Sequence, residues 1–188
     1  WTQLQAVVYG ASTRRISVYQ GTGTPTSGAI TYSTGTGNTM TSLIWCIVEI
    51  TGAAANDSTT LPTPNLAPVF ASAATGPTTS SAASITITSG SAFPDVAPYA
   101  LLIGAFAANL STSANQFTPT SPAADLVDLA VSSPTSNMCV LSSATSATPT
   151  LATTLSASAS FGGVAVMVQA GHQYEPLDGM TAGTGSFG

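Results

Sequence analysis

Apolar and polar residues alternate with a period of two along most of this chain, and the alternating runs are separated by Gly, Pro, Asn and Ser. In Thr13–Gln20, Ile16 and Val18 fall on one side and Arg15, Ser17 and Tyr19 on the other, as in a strand with one wet face. Similar runs are Ala29–Thr34 with Ile30 and Tyr32, Ser84–Thr88 with Ile85 and Ile87, Tyr99–Ala108, Leu126–Val131, Met138–Leu141, Thr150–Ser156, and Phe161–Gln169 with Val164, Val166 and Val168 in register. No window holds apolar residues at helical spacing without a Pro, a Gly or a Ser/Thr run interrupting it. The pattern therefore predicts an all-β chain of about ten strands in a two-layer antiparallel β-sandwich of the jelly-roll kind.

One run departs from the alternation. In Leu43–Thr51 both sets are apolar, with Leu43, Trp45 and Ile47 against Ile44, Cys46, Val48 and Ile50, and Glu49 is the single exception. A strand of that kind is expected at the centre of a sheet, covered on both faces. Trp45 is then a core residue whose removal costs roughly 3–5 kcal/mol. Cys46 and Cys139, 93 residues apart, both lie in apolar strand-like segments. They read as two buried free thiols, with a disulfide or a reactive site as the alternatives, and their separation makes no metal motif.

Charge narrows the setting. Only 5 % of the residues are charged, with two arginines, no lysine and seven carboxylates, against about a quarter in ordinary soluble domains. The 55 serines and threonines must carry the solvation instead. Such a surface suits an extracellular protein or a subunit whose neighbours cover much of it. A net charge of −5 leaves no basic cluster to meet a phosphate backbone, so nucleic acid is not expected as a partner. The longest apolar run, Ala97–Leu110, contains Pro98, Gly104 and Asn109 and falls short of the roughly 20 residues of a membrane helix, so a membrane is not expected either.

The succession Trp1-Thr-Gln-Leu, Arg15-Ile-Ser-Val-Tyr19, Gly28-Ala-Ile-Thr-Tyr, Ile44-Trp-Cys-Ile-Val-Glu-Ile-Thr-Gly52-Ala and Gly163-Val-Ala-Val-Met-Val-Gln resembles a widespread type of β-sandwich domain. Such domains occur in structural and decoration proteins of tailed phages and in bacterial surface or secreted proteins. The resemblance covers residues 1–170 and implies fold more than function. In that group one or two further strands precede the first tryptophan, so the resemblance implies a domain lacking its first strands. Residues 171–188 are aperiodic, with five glycines and the isolated anchors Tyr174, Leu177, Met180 and Phe187. They read as an extended tail, either lying across a neighbouring subunit or frayed.

Tests for chemistry yield no catalytic, cofactor-binding or metal residues. The only histidine, His172, stands in the tail, and no Gly-x-Ser-x-Gly elbow is present. Glu49, Asp95, Asp125 and Asp128 are the carboxylates a glycosidase reading would need. Glu49 is better explained as the structural partner of Arg14 or Arg15. Asp125 and Asp128 offer oxygens to calcium, but no acidic loop surrounds them. Gly21-Thr-Gly23 and Gly35-Thr-Gly37 lack the following lysine and helix of a phosphate loop and read as turns. Trp1, Tyr9, Tyr19 and Tyr32 fit either an aromatic face for sugars or core and interface positions. Asn56-Asp-Ser58 and Asn109-Leu-Ser111 match a glycosylation sequon, which matters only on a eukaryotic secretory route.

The expectation from these readings is a non-enzymatic structural protein without a cofactor, on the exterior of a phage virion as a head decoration or a tail-surface or fibre component. Its partners would be further copies of itself and other virion subunits, bound through apolar and hydroxyl-rich surface. The alternatives are a secreted carbohydrate-binding or adhesin module and a subunit of an extracellular filament.

Overall fold

A computed structural model describes residues 1–21, 39–50, 69–87, 100–132, 134–144 and 150–169. Among them are eight strands and no helix: β1 (Thr2–Tyr9), β2 (Arg14–Gln20), β3 (Val69–Thr86), β4 (Ala100–Ala108), β5 (Phe117–Pro119), β6 (Ala124–Ser132), β7 (Thr135–Ala144) and β8 (Thr150–Gln169). All pairings are antiparallel. β1 and β2 form one sheet, and the other runs β3-β8-β4-β7-β6 with β5 added to β8. The all-β two-layer sandwich expected from the alternation is the architecture found.

The side-chain period of two divides the large sheet into two packed faces. On the first, Ile103 and Ala107 of β4, Met138 and Val140 of β7, and Val164, Val166 and Val168 of β8 cluster with Tyr9 and Ile16. The β1–β2 ribbon covers this face, with Leu4, Val7 and Val18 also against it. Side-chain bonds help to fasten the ribbon, among them Gln5 Nε2 donating to Ser72 Oγ at 3.2 Å and the Gly10 amide donating to Ser160 Oγ at 3.1 Å. On the second face Leu102, Phe106, Cys139, Leu141, Ala165 and Met167 meet Ala83, Ile85, Leu151, Leu155 and Phe117.

That second cluster requires the long β3–β8 ribbon to fold over its own sheet. Val69 opposes Val168 at one end of the ribbon and Thr86 opposes Thr150 at the other, with register shifts between Thr75 and Thr78 and between Ser80 and Ala82. Gly76, at φ +98°, occupies the first irregularity, a conformation that suits glycine. On the partner strand Gly162 and Gly163 point to opposite faces. A β-carbon on Gly162 would come within 2.9 Å of the Tyr9 ring and Val7, and one on Gly163 within 2.9 Å of Ile85 and closer still to Phe106. Strands that bend from one layer into the next are a recognised way of making a sandwich corner.

Several expectations need revision. Thr150–Ser156 and Phe161–Gln169 are one strand, which runs on through the small residues Ala157, Ser158, Ala159 and Ser160 between them. β3 begins at Val69, well ahead of the expected Ser84, and includes the small residues of Ser72–Ser84. Leu43–Ile50 is no central strand: residues 39–50 form none, and Trp45 is 64 % exposed. Trp45 is thus not a core residue. The central position is held by β8 and β4, whose alternating sets are apolar on both faces. The expected strand Ala29–Thr34 and the expected tail 171–188 lie outside the described residues.

Candidate assembly surface

The segment 39–50 lies against the first face of the large sheet, where Ile44 and Ile50 pack onto the cluster shared with the β1–β2 ribbon. Its other large side chains turn outward. Met40, Leu43, Ile47 and Val48 are exposed with Trp45, and among the described residues no ladder joins this segment to a strand. Single exposed apolar residues are ordinary on protein surfaces, whereas a contiguous run marks a surface that is covered by something else. Cys46 is exposed within it, so only one of the two expected buried thiols is buried. Both cysteines are free. Burial pushes the Cys139 thiol far up, which leaves it without reactive thiolate.

The proposed pairing of Glu49 with an arginine does not form. Glu49 is exposed, while Arg14 Nη1 donates to the Thr135 carbonyl at 2.6 Å and Arg15 donates to Ser17 Oγ and to Gln3 Oε1. Arg14 thereby ties β2 to β7, and Arg15 stays on the outer face of the ribbon.

That outer face carries the early aromatic residues only in part. Tyr9 is buried, and burial raises its hydroxyl pKa against opposing effects of Ser136 and Arg14. Trp1 is 74 % exposed, with its ring over Gly21. Tyr19 is also exposed and donates its hydroxyl to Gln3 Oε1 at 3.2 Å. Tyr32 lies outside the described residues.

The two aspartates sit elsewhere. Asp128 of β6 accepts the Phe117 amide on Oδ2 at 3.3 Å, while its buried Oδ1 has no hydrogen-bond partner. Burial first, and then the neighbouring charge of Asp125, raise its carboxyl pKa, against the amides of Phe117, Asn115 and Gln116. Asp125 itself is exposed. No group of three or more His, Cys, Asp or Glu gathers among the described residues. Asp95, His172 and Asn56 fall outside them, and Asn109 is exposed.

One polar residue escaped the sequence reading. Asn137, fully buried on β7, accepts the amides of Leu110 and Ser111 on Oδ1 and donates from Nδ2 to the Ser113 carbonyl. It clasps the connection between β4 and β5. A lone amide beside the apolar run Met138–Leu141 was the signal available for finding it.

No family model, no curated protein and no solved structure matches this chain.

Proposed function

We propose that this chain is a non-enzymatic structural subunit that works by binding neighbouring subunits, on the exterior of a phage particle as a head decoration or a tail-surface or fibre component. The exposed apolar segment Met40–Ile50, seated on the fold by Ile44 and Ile50, carries the subunit-binding part of this reading. The phage setting rests on the resemblance of residues 1–170 quoted above. With so few charges available, affinity has to come from apolar and hydroxyl-rich area, and a stable contact of this kind buries about 1,200–2,000 Å².

Attachment to native particles tests the reading. Bound protein should stay bound when salt is raised to about 1 M, since screening acts mainly on exposed charge pairs. Trp45→Ser should weaken attachment while the strand-rich circular dichroism spectrum is unchanged. Release by salt, or full attachment of the Trp45 variant, would overturn it.

A second reading, a secreted carbohydrate-binding or adhesin module, is favoured by the exposed Trp1 and Tyr19 with Gln3 and Arg15 on one ribbon face. Titration with glycans that quenches tryptophan fluorescence in the wild type and not in Trp1→Ala would support that reading over the first.

A further inference from the structure

We propose that the outer face of the β1–β2 ribbon binds a saccharide that carries a carboxylate, with Arg15 taking the carboxylate and the Trp1 ring stacking on the sugar. This rests on the second reading above, a carbohydrate-binding module, and names its ligand class.

The face is built by the alternation of the ribbon itself. Ile16 and Val18 turn inward onto the large sheet, so Arg15, Ser17 and Tyr19 turn outward, with Gln3 opposite Tyr19 in the ladder. Arg15, Tyr19 and Trp1 are all exposed. The Trp1 ring lies flat over Gly21, since a β-carbon on the glycine would stand 3.1 Å from Cε3 and from Cζ3 and 3.3 Å from Cδ2. One face of the indole therefore rests on backbone and the other is open. An open ring face of that kind suits the apolar C–H face of a pyranose.

Hydrogen bonds fix the guanidinium on the same face. Arg15 Nε donates to Ser17 Oγ at 3.1 Å and Nη2 donates to Gln3 Oε1 at 2.8 Å. The same Gln3 oxygen accepts the Tyr19 hydroxyl at 3.2 Å. Gln3 stands two residues along β1 from Trp1, which brings the cation and the indole within the span of one oligosaccharide. These bonds engage Nε and Nη2, and Nη1 bonds nothing among the described residues. A guanidinium already held in place loses less freedom when a ligand arrives. Its remaining N–H groups offer a fork to the two oxygens of a carboxylate.

Charge and shape then select the ligand. Arg15 is the only charged side chain on this face, and the chain has no lysine and a net charge of −5. A phosphate monoester brings about −1.5 to −2 charges, more than one guanidinium neutralises on a chain already negative. The single charge of a carboxylate is matched. An acidic peptide gains most by adding its backbone to a strand edge, whereas an indole laid over a glycine, beside amide and hydroxyl groups, offers a stacking platform to a ring. The ligand class is thus a sugar acid, uronic or sialic.

Calorimetric titration of the full chain tests this, with trigalacturonate and sialyllactose as probes, each beside its methyl ester, and with triglutamate as the peptide control. At least one acid should bind about tenfold more tightly than its ester, the loss expected when hydrogen bonds to a charged group go. Added salt should weaken binding of the acid and leave the ester unaffected. Arg15→Gln should bind acid and ester alike, while Trp1→Ala should weaken both by a similar factor. Which acid binds distinguishes the uronic from the sialic source. Circular dichroism reports whether each variant is folded, and the comparison of acid with ester needs only the wild type.

Equal binding of acid and ester, or an undiminished preference in Arg15→Gln, would overturn the carboxylate assignment, and Trp1-dependent binding of either would still uphold the carbohydrate reading. Triglutamate binding as tightly as the saccharides would make the face an acidic-peptide site and overturn the sugar assignment. Failure of every saccharide to bind at millimolar concentration would overturn the inference together with the carbohydrate reading.

Discussion

Gly163 lies against Phe106 so closely that a β-carbon on the glycine would be 2.7 Å from Cδ1 of the ring. Phe106 is fully buried and meets Phe161 edge to face, with ring centroids 6.4 Å apart. Gly163→Ala should therefore cost about 1–3 kcal/mol through overpacking. Gly104→Ala should sit at the upper end, because its added carbon meets the Val164 carbonyl oxygen at 2.7 Å, and backbone yields less readily than a ring. Urea titration of both variants measures this, and a change below about 0.5 kcal/mol for both would mean that the bend is looser than described.

Asn137→Ala should destabilise the chain by about 2–3 kcal/mol, since it strips partners from two amides and one carbonyl at the edge of the core. Hydrogen exchange at Leu110 and Ser111 should speed up before the rest of the sheet does. Unchanged protection there would show that other groups hold the connection.

Thr153→Val is expected to act in the opposite direction. Thr153 is buried on β8 and its hydroxyl has no hydrogen-bond partner. Replacing it by a methyl of similar shape removes a desolvation cost, so stability should rise by about 1 kcal/mol. A loss of similar size, read from the urea midpoint, would reveal a bond that the hydroxyl makes.

Asp128 sets a pH dependence whose sign is fixed by its raised pKa. The folded chain holds the proton more tightly than the unfolded chain does. Its contribution to stability is therefore intact below the ordinary aspartate range and is lost as pH rises from there through the raised value. Asp128→Asn keeps an oxygen for the Phe117 amide and removes the charge, so it should gain on the wild type as pH rises from 3 to 7. A variant that loses ground over that range would mean that the amides favour the carboxylate more than burial penalises it.

Where alternation had one reading, the sequence located the strands well. Ile16 and Val18, Ile85 and Ile87, and Val164, Val166 and Val168 all face the core as their spacing implies. β5 escaped notice because three residues carry no period. The start of β3 was obscured because Ser, Thr and Ala alternate without a contrast in size. Leu43–Ile50 misled for a different reason: two apolar faces signal that both are covered, and say nothing about whether the cover belongs to the same chain. The exposed position of Trp45 and Cys46 was illegible for that reason, and so was the candidate surface itself.

The β3–β8 ribbon also governs how the molecule bears a load. Both strands run on from the flat part of the large sheet into the part that folds over Phe106 and Leu141, so tension pulling that part off the sheet is carried by covalent backbone before it reaches any side-chain contact. Parting the strands by sliding them along their length would require their ladder bonds to break together rather than one at a time. The folded-over part and the sheet beneath it should therefore yield as one piece, whereas the β1–β2 ribbon, which shares no ladder with them, can part first.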